Sequence, residues 1–218
     1  MREEDSSSQS VNIYITGIHS REAFTEVSIS TGASFFVSDA DYLAFSFHKG
    51  DEISPRVLEQ LEKGHALILC QRKALDLLAL AEHSRFMLRT KLRQRGFESS
   101  TVEEVLTRLA EKNYLDDRRF SRLWISSRLR RNPAGRSVLV AGLRGKGVSA
   151  QDAEEAVSEL LSEDALLEGA RKVYAKAVRK KNSTMEKVEA ALLKKGYSLS
   201  VIRAICKEGL DGQETEEN

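Results

Sequence analysis

The sequence predicts a mainly α protein, with tandem three-helix repeats forming an elongated curved array and a small N-terminal β-rich segment. Three observations predict it. A glycine after a basic residue recurs as Arg95-Gly96, Lys146-Gly147 and Lys195-Gly196. Each copy has a leucine four residues earlier (Leu92, Leu143, Leu192) and an apolar residue directly after (Phe97, Val148, Tyr197), at intervals of 51 and 49 residues. Such a period marks a repeated supersecondary unit. Helical spacing of apolar residues also dominates after residue 83, and only two prolines stand in the whole chain. A unit of roughly 50 residues built this way cannot bury its apolar face alone, so neighbours must stack. A stacked helical array suits gripping something long better than enclosing a small substrate.

Residues 1–10 are polar and charged and read as a disordered tail, as do 211–218. Residues 11–72 form the N-terminal segment. Val11, Ile13 and Ile15 alternate with polar residues, Phe24, Val27 and Ile29 make a second β-rich run, and Ser34–Val37 offers a third. The turns are Gly17–Arg21 and Thr31-Gly32. Together they predict an antiparallel sheet of two or three strands, too small to stand alone. Ser38 has the position of an N-cap, with Asp39 and Asp41 in the first turn, and Lys49-Gly50-Asp51 ends that short helix. Ser54-Pro55 opens another, running to Lys63, where Gly64 breaks it. Ala66–Glu82 keeps a helical period, although Ala66–Cys70 alone also fits a strand.

The remainder reads as three units of three short helices, at 73–114, 115–161 and 162–210. Ser100-Thr101-Val102-Glu103, Ser149-Ala150-Gln151-Asp152 and Ser183-Thr184-Met185-Glu186 each place a hydroxyl three residues before an acid, the pattern of a helix start. The repeated glycine stands where a helix end needs a residue tolerant of positive φ. Pro133 falls in the Asn132–Gly135 loop. Leu88, Leu92, Phe97, Leu109, Leu115 and Phe120 are expected in the core, and so is Trp124.

Chemistry is conspicuously missing from this pattern. His19, His48, His65 and His83 lie in four different elements with no metal-ligand spacing, and no Gly-rich phosphate loop occurs. His83 and Ser84 are adjacent, so their side chains point apart, and a helix-boundary role fits them. Asp116-Asp117 precedes an apolar-periodic run and reads as N-capping. Cys70 and Cys206 sit in apolar surroundings as reduced core thiols. The expectation is a non-enzymatic protein with no cofactor and no metal. No apolar run approaches the roughly 20 residues that span a bilayer, and the N-terminus lacks a signal-peptide core. A cytoplasmic monomer with no membrane contact is expected.

Charge is informative. The net +1 hides 7 Lys/Arg against 13 Asp/Glu in residues 1–83, 16 against 6 in 84–147, and 11 against 14 in 148–218. A basic island between acidic ends is the footprint of a partner with phosphate backbones or an acidic protein groove. Arg85, Arg89 and Arg93 fall at i, i+4 and i+8 and make one stripe. Arg118, Arg119 and Arg122 follow on the next unit's first helix, and Arg128, Arg130, Arg131 and Arg136 gather about Pro133. Arginine outnumbers lysine here, which favours bidentate pairing with phosphate or carboxylate. Arg85, Arg89, Arg93, Arg118, Arg122, Arg130 and Arg131 are the candidate contact residues.

Ala81-Glu82-His83-Ser84, Leu92-Arg93-Gln94-Arg95-Gly96-Phe97, Tyr114-Leu115-Asp116-Asp117-Arg118-Arg119-Phe120 and Leu143-Arg144-Gly145-Lys146-Gly147-Val148 resemble the RecX family, bacterial regulators of the RecA recombinase. The likeness is specific over about residues 73–148. Ser121 stands where that family usually has alanine, Asn113 where glycine is common, and Gly142 where an acid is frequent inside a helix. The resemblance implies binding to RecA filaments on single-stranded DNA, with inhibition of strand exchange, coprotease function and ATP hydrolysis. The partners it implies are the RecA filament and single-stranded or double-stranded DNA. The residues also admit a helix-turn-helix-type regulator acting on DNA directly, since three helices with a glycine at the turn describe that motif as well.

Overall fold

The computed structural model describes residues 12–21 and 24–214, with side chains described as far as residue 209. Val11 and residues 1–10 and 215–218 lie outside the described residues. The fold is mainly α, with ten helices and one small antiparallel sheet among the described residues. It divides into two compact units, one of residues 1–79 with 91–108, the other of 80–90 with 109–218.

In the first unit, β1 (Ile13–Ser20), β2 (Thr25–Ile29), β3 (Ser34–Val37) and β4 (Glu52–Ile53) make a sheet of order β3-β2-β1-β4. Thr25 faces Val37 and Val27 faces Phe35, while β1 and β2 pair with a bulge between Ile15 and Gly17. Ile15, Val27, Ile29, Phe35 and Val37 put their apolar side chains into one core with Phe47, Ile53 and Leu61. The fourth strand was not expected. Its two residues are too few to show a period, and it pairs because Gly50 turns the chain at φ +96° and lays Ile53 beside Ile13.

Helix α1 (Asp39–Phe45) starts as expected, its Asp41 amide donating to Ser38 Oγ at 3.2 Å. It ends earlier than Lys49-Gly50-Asp51, because Ser46 takes a left-handed conformation at φ 49° and closes the helix. Helix α2 (Pro55–Leu80) corrects a second expectation, since it runs unbroken through Gly64 and through Ala66–Cys70. A glycine inside a helix costs up to about 1 kcal/mol. That is less than the burial of Leu61, Cys70, Ala74 and Leu77 along one face returns. The side chain of His65 adds a tie, its Nδ1 accepting from the Phe36 amide at 2.9 Å. The remaining helices are α3 (Arg85–Arg93), α4 (Ser99–Glu111), α5 (Asp117–Arg131), α6 (Arg136–Arg144), α7 (Ala150–Leu160), α8 (Glu163–Val178), α9 (Met185–Lys194) and α10 (Leu199–Glu214).

Helix starts follow the capping chemistry, with two shifts. Ser149 caps α7, accepting from the Asp152 amide at 3.0 Å and donating to its carboxylate at 2.6 Å. Asp116 caps α5 by accepting from the Arg118 and Arg119 amides. Ser84 Oγ accepts from the Met87 amide, which makes His83-Ser84 the boundary of α3. By contrast, α4 begins before Ser100, with the Val102 amide already bonded to Glu98. At α9 the cap is Thr184, one residue after Ser183, whose hydroxyl is used on Ala177 O. Helix α10 continues to Glu214, four residues into the stretch read as a tail.

In the second unit α5 and α6 pack on α7, and α8, α9 and α10 pack on one another. Phe120, Ile125, Leu139, Leu143, Val148 and Val157 centre one core, and Ala170, Val188, Leu192, Tyr197, Ile202 and Ile205 the other. Leu88, Leu92, Leu109, Leu115 and Phe120 are buried as expected; Phe97 is only half-buried. Trp124 is half-buried against the first of these cores. Its ring fills the space beside Gly142, where a Cβ would lie 2.3 Å from the indole, so a larger residue at 142 has no room.

The repeated glycine has a structural reason. Gly96, Gly147 and Gly196 all have positive φ, at 87°, 80° and 85°. The Gly147 turn also receives the start of α3, with Ser84 Oγ donating to Lys146 O at 2.5 Å and Phe86 lying against the glycine. The Gly196 turn likewise receives the start of α6, through Gly135 N–H to Lys195 O at 2.8 Å and Ser137 Oγ to Gly196 O at 3.1 Å.

Candidate partner-binding surface

The candidate arginines are of three kinds. Arg85 and Arg89 are half-buried on α3, and the Arg85 amide donates to Asp117 Oδ1 at 2.7 Å. Asp117 therefore caps α3 rather than its own helix, which sequence reading of the Asp116-Asp117 pair missed. Burial pushes the Asp117 carboxyl above its ordinary range, although the Arg85 amide pulls the other way. Arg93, at the end of the same helix, is exposed.

Arg118 and Arg122 are exposed, but each reaches acids on α7. Arg118 Nε lies 3.6 Å from Asp152 and its Nη2 3.5 Å from Glu155, while Arg122 Nη2 lies 3.1 Å from Glu159. Arg136 joins the same helix through Glu154 and the Ser158 hydroxyl. Exposed pairs of this kind are worth about 0–1 kcal/mol and are screened by salt. An anionic partner can displace these carboxylates, at the cost of the pair.

Arg130 and Arg131 are exposed at the end of α5. Among the described residues Arg131 bonds only to Ser127, through its hydroxyl at 2.7 Å and its carbonyl at 3.4 Å, and Arg130 makes no ion pair. Arg128 is exposed nearby, and with Trp124, Ser127, Arg131 and Asn132 it lines a small cleft of about 190 Å³. Three cations at a helix C-terminus also suit the helix dipole, which explains their presence there without any ligand. Among the candidates, Arg93, Arg130 and Arg131 thus carry charge that no described acid balances. The structure brings Arg118 and Arg122 together on α5, but over acids that the sequence did not pair with them.

Arg119 was grouped with the basic residues but acts as a structural hub. Its Nε donates to Glu82 Oε1 at 2.7 Å, Nη1 to Asn113 O at 3.0 Å, and Nη2 to Tyr114 O at 3.1 Å. The hydrogen bond to Glu82 leads the causes that raise its pKa. Asn113, where glycine is common in the resembling family, adopts φ 58°, which asparagine tolerates.

Elsewhere the titratable groups are structural. Burial pushes the Cys70 thiol up to about 11 and the Tyr197 hydroxyl up to about 12. Among the described residues no group of three or more His, Cys, Asp or Glu could hold a metal, and no helix is long and apolar enough to cross a membrane.

Comparison with known proteins agrees with this fold. Residues 70–109 match the first three-helix domain of RecX, and 116–157 match the second. The regulatory protein RecX of Prosthecochloris aestuarii is 37% identical over 136 residues, covering 62% of this chain and 90% of that protein. That of Bacillus licheniformis is 30% identical over 178 residues, covering 79% and 68%. Two solved structures share the fold at 20% identity. A crystal structure of regulatory protein RecX has a TM-score of 0.76 over 89% of this chain and 99% of its own. RecX from Lactobacillus salivarius has a TM-score of 0.60 over 66% and 96%. The chain belongs to the RecX family of regulatory proteins.

Proposed function

We propose that this protein binds RecA and RecA–single-stranded DNA filaments, and mainly inhibits their recombinase, ATPase and coprotease activities. It acts by contact and not by catalysis. Arg85, Arg89, Arg93, Arg118, Arg122, Arg130 and Arg131 are the contact residues, meeting acidic protein side chains and DNA phosphates. The observation that carries this reading is the set of exposed guanidinium groups at Arg93, Arg130 and Arg131, which no described carboxylate neutralises. Arg118 and Arg122 contribute less net affinity, because each must first release a partner on α7.

The test is single-stranded-DNA-dependent ATP hydrolysis by RecA, titrated with substoichiometric amounts of this protein. Inhibition well below one protein per recombinase subunit is expected, and so is relief of it by Arg89→Glu/Arg93→Glu in a variant that still folds. Normal inhibition by a folded double variant rules out that part of the surface. Sequence-preferring binding to DNA alone, with no effect on RecA, would replace the proposal with a direct DNA-binding regulator.

A further inference from the structure

One ion pair of the second unit repeats with the same period as the glycines. Arg122–Glu159 joins α5 to α7, and Arg171–Glu208 joins α8 to α10, with Nη2–Oε2 and Nε–Oε2 distances of 3.1 and 2.9 Å. The two pairs lie 49 residues apart, like Gly147 and Gly196. Stepping back 51 residues, the interval from Gly147 to Gly96, gives Gln71 on α2 and Arg108 on α4. The position of Arg118 becomes Leu67 by the same step, and that of Glu155 becomes Glu104. The clasp is thus absent from the first repeat: α2 supplies Gln71 where the cation of the pair belongs, and a cation, Arg108, replaces the acid. Arg108 pairs instead with Glu104 of its own helix.

At that place the first unit has a cleft of about 810 Å³ lined by both Gln71 and Arg108. Phe24 and Phe36 form one wall, their ring centroids 4.5 Å apart, and Ile68 and Leu75 stand opposite on α2. All four are half-buried, so they present apolar surface to whatever enters. Arg72, exposed between Ile68 and Leu75, makes no hydrogen bond or ion pair with the described residues. Arg21 also lines the cleft but is paired with Glu26, and Asp76 is the one acid on the lining among the described residues. A smaller adjoining cleft of about 330 Å³ shares Phe36, Ile68 and Arg108 with it and includes Leu67. The volume is that of a site for a small ligand or a few side chains.

We propose that this cleft is a docking site for a short segment of a partner protein carrying two or three apolar side chains flanked by carboxylates. Charge complementarity selects that occupant. In the other repeats the corresponding position on the third helix is Glu159 or Glu208, which an internal arginine satisfies. Here it is Arg108, for which α2 offers Gln71, and Arg72 adds a second guanidinium beside the apolar walls. The apolar side chains bury against Phe24, Phe36, Ile68 and Leu75, and the carboxylates pair with Arg72 and Arg108.

The experiment uses the full chain and a dye-labelled octapeptide, Asp-Glu-Phe-Asp-Leu-Phe-Glu-Asp, with binding read by fluorescence anisotropy. Two control peptides replace all its acids by lysine or its apolar residues by serine. Saturable binding is expected for the first peptide and at least tenfold weaker binding for both controls. Gln71→Arg/Arg108→Glu installs the clasp of the other repeats, and the new pair offsets the lost Arg108–Glu104 pair, so the variant should stay folded while binding the first peptide at least tenfold more weakly. Arg72→Glu, on the exposed rim, should weaken it in the same direction. The proposal is overturned by lack of saturable binding to the wild-type chain, by equal binding of the lysine peptide, or by undiminished binding to the folded variants. Because neither RecA nor DNA is in the assay, the outcome is independent of the function proposed above.

Discussion

Replacing Gly147 by alanine separates two reasons for a glycine that look identical in sequence. Gly96 and Gly147 both end a helix at positive φ, 87° and 80°. A side chain in that region costs about 1–2 kcal/mol from backbone sterics alone. At Gly96 nothing lies within 4 Å of an added Cβ, so that strain is the whole cost. At Gly147 the added atom would sit 2.1 Å from Phe86 Cβ and 2.3 Å from its Cγ. Relief requires the start of α3 to move, which also pulls on the Ser84–Lys146 hydrogen bond. Overpacking of this kind adds about 1–3 kcal/mol. Gly96→Ala should therefore lose about 1–2 kcal/mol and Gly147→Ala about 2–5 kcal/mol. Urea unfolding followed by far-ultraviolet circular dichroism measures both. Trp124, the single tryptophan, lies in the same unit as Gly147 and gives a second reading of that variant. Phe86→Ala should rescue Gly147→Ala only in part, since the nearest offending atom is a Cβ. Equal losses at Gly96 and Gly147 would refute the docking role of the second turn.

Four further outcomes follow from the surface and the core. Arg93→Glu/Arg130→Glu/Arg131→Glu should raise the concentration needed for half-inhibition of RecA ATPase at least tenfold in a variant that still folds, with a small drop in melting temperature because acids oppose the helix dipole at the end of α5. Glu155→Gln/Glu159→Gln should lower that concentration by freeing Arg118 and Arg122, and both shifts should shrink at high salt. Arg119→Ala should destabilise by about 1–3 kcal/mol in thermal or urea unfolding, because it strips Glu82 and two backbone carbonyls of their donor, and lysine should recover little of the loss. His65 has its pKa lowered by burial, and its Nδ1 must stay unprotonated to accept from the Phe36 amide. The unfolded chain then binds the proton more tightly than the folded one. Stability is full above the ordinary histidine pKa of about 6.5 and falls as pH drops from there toward the lowered value. His65→Gln, which can still accept from that amide, should flatten this dependence in urea midpoints measured across mildly acidic pH.

What could be read from sequence, and what could not, follows from the range of each interaction. The N-caps at Ser38, Asp116 and Ser149 and the turns at Gly96, Gly147 and Gly196 depend on residues within a few positions of one another, and they were legible. Gly64 was misjudged because a local propensity of up to about 1 kcal/mol was outweighed by burial along α2 that the local window does not contain. Strand β4 and the Asp117 cap on α3 need partners about 30–40 residues away, so no short pattern announces them. At the candidate surface, the stripes on α3 and α5 were legible as cations. Their neutralisation was not, since Glu155 and Glu159 stand 37 residues beyond Arg118 and Arg122. Once the repeat interval is known that separation is itself a signal, because Arg171 and Glu208 reproduce it.

Period and clasp together explain why the positive island is less available to a partner than its charge count implies. The 49-residue step carries Arg122–Glu159 onto Arg171–Glu208, so the unit repeats a charge pair along with a glycine turn. A cation in such a pair is part of the repeat's own architecture, and a partner reaches it only by competing with a carboxylate held on the same unit. A cation outside the pattern has no such competitor built in. Arg93, Arg130 and Arg131 are outside it at the ends of α3 and α5, and Arg72 is outside it on α2. The useful division of this basic island is therefore between cations that close a repeat and cations left over, not between one helix and the next. Conversion of a left-over arginine to glutamate should alter binding more than stability, whereas loss of a clasping glutamate should first change which arginines are available.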